Sequence, residues 1–197
     1  MKKVVITIGR EFGSGGREIG MKVAEKLGIP FYDKELILKT AEKTKLEKSI
    51  IEKHDEKHSF IAIAATNPFD LYQMPMSDRI YIAQADVIRE IAEKESCVIV
   101  GRCADYVLED NPDCFNVFIT APMKDKVERK RPLLPGKSDR EIENHIEKID
   151  KKRSKYYSYY TDGIWGKAAT YHLCIDSSVL GIDGTVDLII NAVNFRK

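Results

Sequence analysis

The 197-residue sequence has no run approaching the roughly 20 apolar residues that a membrane-crossing helix needs. Its charges nearly cancel, Lys+Arg 32 against Asp+Glu 31, for a formal net charge of +1. No bulk field therefore points to a nucleic-acid polymer or a membrane surface, and any anion site must be local. No C-x-x-C pair occurs among Cys97, Cys103, Cys114 and Cys174, which removes the common zinc and redox signatures. The four are read as small buried thiols. His54, His58, His145 and His172 show no metal-ligand spacing. Internal repeats and low-complexity segments are missing, and the apolar run of "MKKVVITIG" is too short for a signal peptide. These absences leave the expectation of a soluble, reduced, cytoplasmic protein.

What is present is a core. Hydrophobic residues make up 43% of the chain, enough for one domain of this length. Four β-branched runs, "VVITI", "CVIVG", "FNVFIT" and "YHLCID", read as buried parallel strands, and "IPFYD" as a shorter one. Between them lie helical patterns over Glu18 to Leu27, Lys34 to Lys43, Ser77 to Glu95 and Ile182 to Val193. Strands alternating with helices predict an α/β fold, a parallel sheet covered on both faces. Two charged regions interrupt the pattern. Lys45 to Lys57, with the irregular "ATNPFDLYQMPM" after it, and Lys124 to Lys155 are read either as solvated surface or as flaps over a site.

The stretch "VVITIGREFGSGGREIG" carries the chemistry. A strand, a glycine-rich turn and a helix start together make an anion trap, because free backbone amides converge where the helix dipole is positive. Gly13, Gly15 and Gly16 permit the dihedrals and the close approach that this needs. The dinucleotide pattern G-x-G-x-x-G fits poorly, since Glu18 takes the third glycine's place and the turn comes late after the strand. The P-loop pattern G-x-x-x-x-G-K-[ST] is nearer but broken. With Gly15 as its second glycine, Arg10 stands at the first, Gly16 at the lysine and Arg17 at the hydroxyl residue. Arg10 and Arg17 are the candidates to supply the missing charge, as a planar fork rather than a point charge. A tight turn without ligand is the plain alternative.

Several blocks together, "ITIGREFGSGGREIGMKVAEKLGIPFYDKELI", "VIVGRCADYVL", "DKKRSKYYSYYT" and "YHLCIDSSVLGIDGTVDLI", resemble the cytidylate kinase-like proteins, relatives of bacterial cytidylate kinase among the nucleoside monophosphate kinases. The resemblance implies a P-loop NTPase three-layer sandwich with a five-stranded parallel sheet. It implies one domain over residues 1–197, with a helical NMP-binding insert at about 34–96 and a lid insert at about 124–155. It further implies ATP and Mg²⁺ as cofactors and CMP or dCMP as acceptor. In that likeness Gly13, Ser14, Gly15, Gly16, Arg17 and Glu18 hold the ATP phosphates with Arg10. Arg129 and Arg131 match lid arginines near ATP, and Ser177 lies in the loop beside the adenine. Asp33 matches an aspartate beside the phosphates and metal. Lys34 and Lys39 stand where the kinases carry a serine and an arginine that grip CMP. Arg102 matches an arginine that touches the monophosphate, and Asp150 and Arg153 a lid D-x-x-R near the acceptor. Arg17, Asp33 and Arg153 are thus the expected catalytic set, with Asp33 the metal ligand.

Bland readings stand beside these. Asp33 can cap a helix starting at Lys34; Asp150 and Arg153 can be a surface pair. Arg129 and Arg131, two apart, cannot share one helix face. "KYYSYYTDGIW" is read as core or as a subunit contact, which makes a homodimer one expectation. Three functions remain: a kinase of a nucleotide or similar small acceptor, a nucleotide-binding protein that has lost transfer with the lysine, and a dinucleotide-dependent oxidoreductase.

Overall fold

The computed structural model describes residues 3–33, 36, 39–40, 42–43 and 74–196. Five strands, β1 (Val5–Arg10), β2 (Phe31–Tyr32), β3 (Cys97–Val100), β4 (Cys114–Thr120) and β5 (Leu173–Asp176), form one sheet in the order β2-β3-β1-β4-β5. Every pairing is parallel, with Val5 opposite Cys97 on one side and Cys114 on the other. Alternation along β1 sends Ile6 and Ile8 to one face and Val5 to the opposite one, and each face has its own core.

On the first face lie α1 (Gly16–Leu27) and α6 (Ser177–Asn194), whose Ile19, Val23, Val186 and Ile189 pack on Ile6, Ile8, Val98 and Ile119. The second face is covered by α2 (Met76–Lys94) and the short α3 (Ala104–Val107), with Ile88, Ile91 and Ala104 against Val5, Cys97 and Ile99. The result is the expected three-layer α/β sandwich with both sheet faces buried.

The segment between β4 and β5 carries α4 (Met123–Lys130), a 3₁₀ turn at Arg131–Leu133 and α5 (Asp139–Thr161). Ser138 starts α5 with a full capping box, its hydroxyl accepting from the Glu141 amide while the Glu141 carboxylate accepts from the Ser138 amide. This charged region has a small core of its own, Val127, Ile142 and Ile146, which closes on Phe12 of the glycine loop. That contact, invisible as a period in the sequence, docks the hairpin over the sheet's carboxyl edge.

Some expectations change. The last helix begins at Ser177, capped by Asp176 through the Ser178 amide at 2.9 Å, and breaks at Gly181 (φ 66, ψ −178) before the predicted stretch. Cys97, Cys103 and Cys114 are buried, but Cys174 on the edge strand β5 is exposed. Burial pushes the thiols of Cys97 and Cys114 up to about 12, which keeps them inert. The aromatics of "KYYSYYTDGIW" turn inward: Tyr81 of α2 stacks on Tyr160 at 3.9 Å, and Tyr156 and Tyr157 pack on Cys103. Tyr156 and Tyr157 are core, while Tyr159, Tyr160 and Trp165 are half-buried and Ile164 is exposed. Among the described residues no helix is long and apolar enough to cross a membrane. The Lys45–Lys57 region, His54, His58 and most of the proposed NMP-binding insert lie outside the described residues.

Candidate functional site

Parallel strands place the turns after β1, β3, β4 and β5 along one edge, where ligands of such sheets bind. The turn after β1 is the glycine loop. Gly13 (φ +88) and Gly15 (φ +82) both adopt the left-handed region, and Gly15 is the residue from which α1 starts. Among the described residues, no hydrogen bond engages the amides of Gly13, Gly15, Gly16, Arg17 or Glu18. Five donors therefore remain for an anion at a helix N-terminus. The Ser14 amide is the exception, turned to the Glu11 carbonyl at 3.4 Å.

The loop opens into a cleft of about 410 Å³. Arg10, Gly13, Gly15, Gly16, Arg17, Glu18, Arg129 and Arg153 of the predicted set line it, joined by Glu11, Phe12 and Lys130. Arg129 reaches across from α4, donating to the Gly13 carbonyl at 3.3 Å and to the Ser177 hydroxyl at 3.0 Å. Arg153 donates to the Arg10 carbonyl at 3.4 Å and lies 5.7 Å from the Phe12 ring centre. Lys130, between the two predicted arginines in sequence, sits 4.4 Å from the same ring. Desolvation, then the nearby Arg153, holds its ammonium below the usual lysine range. A third cation next to Arg129 was legible as "ERKR", but not which of its members faced inward.

The missing lysine has a steric reason. A Cβ on Gly16 would come 2.5 Å from Arg10 Cβ. The side chain that a P-loop carries at its lysine is here carried by the end of β1, in the same space. Arg10 then runs on to the turn after β3, where a Cβ on Gly101 would collide with its guanidinium. That turn holds three left-handed residues in a row, Gly101 (φ 77), Arg102 (φ 59) and Cys103 (φ 54). For the two with side chains the conformation costs about 1–2 kcal/mol each. Arg10, Arg102, Cys103, Asp105, Arg153 and Trp165 wall a second hollow of about 30 Å³, room for roughly one or two waters. In it Asp105 is buried and accepts from the Tyr157 hydroxyl at 2.8 Å. Burial, only partly offset by that bond, raises its carboxyl above the ordinary range.

Other predicted residues take different places. Asp150 is engaged by the protein itself: it accepts from the Phe12 amide at 2.7 Å and lies 3.5 Å from Lys126. Lys126, with its side chain 8% exposed, also pairs with Glu11 at 2.6 Å, so helices α4 and α5 are latched to the glycine loop by buried charge. Ser14 is buried with its hydroxyl on the Glu11 carbonyl, and buried Ser177 donates to the Ser14 carbonyl at 2.6 Å; both brace the loop from behind. Arg131 turns away, paired with exposed Asp139 at 3.0 Å. Lys39 lies over the Tyr32 ring at 5.8 Å, beside Glu42 and Glu90 and away from the cleft. Lys34 lies outside the described residues.

Asp33 does not match its expected role as a metal ligand. Its Oδ2 accepts from Arg17 Nε at 2.6 Å, the aspartate 8% and the arginine 51% exposed. Positions 16, 17 and 18 are Gly, Arg and Glu, with no hydroxyl to hold Mg²⁺. Among the described residues no group of three His, Cys, Asp or Glu side chains is placed to ligate a metal. The donor set does not fit a P-loop magnesium site.

A parallel five-stranded sheet with a glycine-rich turn after its central strand and a helical hairpin over it defines the P-loop kinase fold. Shikimate kinase from Bacteroides thetaiotaomicron shares it at TM-score 0.58 and 19% identity, covering 98% of this chain and 99% of that one. Shikimate kinase from Aquifex aeolicus does so at TM-score 0.51 and 19% identity, covering 97% and 96%. The match is stronger with an uncharacterized protein from Eubacterium ventriosum, at TM-score 0.75 and 33% identity over 98% of this chain and 100% of that one. No curated protein matched the chain. The chain belongs to the cytidylate kinase-like family, whose sequence profile matches residues 5–179.

Proposed function

We propose that the protein is an ATP-dependent phosphotransferase acting on a nucleoside monophosphate, of CMP or dCMP type, or on a related small anionic acceptor. The observation that carries this reading is the cup of five unengaged amides at the start of α1 with Arg10 in the space of the lysine. Phosphoryl transfer asks a protein mainly to hold two substrates in line and to surround the moving phosphate with positive charge. The cup and Arg129 hold the nucleotide phosphates; Arg10 and Arg153, which border both the cleft and the smaller hollow, sit where the transferred group passes. Arg102, on the hollow alone, receives the acceptor's anionic group. At about 30 Å³ the hollow must widen to take an acceptor.

The second reading, a nucleotide-binding protein without transfer, rests on Gly16. One preorganised donor is worth on the order of 10²–10³ in rate, so the two readings separate on Arg10. Purified protein incubated with ATP labelled at the γ-phosphate and a panel of CMP, dCMP, other monophosphates and shikimate is expected to label one acceptor. Arg10→Ala and Arg17→Ala are expected to remove the labelling. ATP binding with no labelled acceptor would leave the binding-protein reading; NAD(H) binding without ATP binding would replace both.

A further inference from the structure

The cleft is furnished with cations where its fold usually recruits a metal. A P-loop ordinarily secures Mg²⁺ with a hydroxyl just after the lysine and with an aspartate near the phosphates. Here the hydroxyl is missing, and the one the loop does carry, on Ser14, donates to the Glu11 carbonyl. Each carboxylate around the cleft already has a partner. Asp33 is held by Arg17 at 2.6 Å, Glu11 by Lys126 at 2.6 Å, Asp150 by the Phe12 amide at 2.7 Å, and exposed Glu18 lies 3.6 Å from Lys22. Against them stand Arg10, Arg17, Arg129, Lys130 and Arg153 along the cleft walls. A divalent cation entering this space would meet five like charges against two lining carboxylates, Glu11 paired with Lys126 and Glu18 beside Lys22, while a phosphate chain meets a positive excess.

We infer that the cleft takes its phosphate chain as the metal-free anion, with the Arg17 guanidinium standing between Asp33 and the phosphates in the place of the divalent cation. Arginine suits that role. Nε is spent on the carboxylate, and the two terminal nitrogens remain to grip phosphate oxygens as a planar fork of fixed geometry. Half of the Arg17 side chain is exposed toward the cleft, so the fork is available without rearrangement of the aspartate. The inference rests on the reading of the glycine loop as a nucleotide phosphate site, and its test separates the two.

The measurement is the dissociation constant of ADP and of ATP for the full chain by titration calorimetry, once in EDTA and once in excess Mg²⁺. The expected result is binding in EDTA as tight as in Mg²⁺ or tighter. In Arg17→Ser, affinity in EDTA is expected to fall about tenfold or more, with Mg²⁺ recovering part of the loss once Asp33 is released and a hydroxyl is in place. Wild-type binding that Mg²⁺ tightens more than about threefold overturns the metal-free grip and leaves the nucleotide site standing. No binding in either condition overturns the nucleotide site and this inference with it.

Discussion

Arg10 and Gly16 share one volume: a Cβ at position 16 would lie 2.5 Å from Arg10 Cβ. Arg10, at the end of the central strand, fills the space a side chain at the first helical position would need, and the glycine is what makes room for it. Gly16→Lys alone is therefore expected to overpack the loop, costing about 1–3 kcal/mol, rather than to restore a P-loop. Arg10→Gly together with Gly16→Lys is expected to recover stability and ATP binding, seen as a regained thermal shift with ATP. A double variant no better than the single one would separate the two positions.

Asp150 ties the hairpin to the loop. Its carboxylate takes the Phe12 amide and faces Lys126, which is nearly buried. Asp150→Ala leaves that amide and part of the lysine's charge uncompensated and is expected to cost about 3 kcal/mol in urea unfolding. Nucleotide affinity should fall with it, because the loop loses the bond that sets its height above the sheet.

Burial raises the Asp105 carboxyl above its ordinary 3.8. The folded state then holds this proton more tightly than the unfolded chain does. The stabilisation is full below 3.8 and is lost as pH rises through the folded value. Asp105→Asn keeps an acceptor for the Tyr157 hydroxyl but cannot titrate. Relative to that variant, the wild type is expected to lose stability as pH climbs from 3.8, read by denaturant unfolding at a series of pH values. Parallel curves for the two proteins would count against it.

Arg129 and Arg131 look alike in the sequence and differ in place. Arg129→Ala removes the donors to Gly13 and Ser177 and is expected to weaken ADP binding by about tenfold, or ~1.4 kcal/mol. Arg131→Ala and Lys39→Ala, both off the cleft, are expected to change it by less than about twofold. Equal losses at 129 and 131 would show that the hairpin closes in a way that brings Arg131 inward.

Ser177 tests whether the loop needs its brace. Its hydroxyl joins α6 to the Ser14 carbonyl and receives Arg129. Ser177→Ala is expected to cost about 1–2 kcal/mol of stability and to loosen Arg129, weakening ADP binding severalfold without touching the ligand.

The sequence by itself determined the sheet, the helices that cover it over Glu18–Leu27, Ser77–Glu95 and Ile182–Val193, and the glycine-rich turn, because each rests on local patterning. Period-two and continuous apolar runs become strands, and glycines at 13 and 15 are needed wherever the backbone must turn left-handed. It also showed that a lysine was missing. Only the tertiary structure decided what the charged residues do. Asp150 finds Phe12 across 138 positions, Arg129 finds Ser177 across 48, and Arg17 commits Asp33 to an ion pair. Lys130 faces the cleft while Arg131 leaves it, since successive side chains along a helical turn point about 100° apart and α4 passes straight into the 3₁₀ turn at Arg131. Such assignments depend on where packing carries each backbone, and a long charged side chain reveals nothing of its partner until the core beneath it is in place.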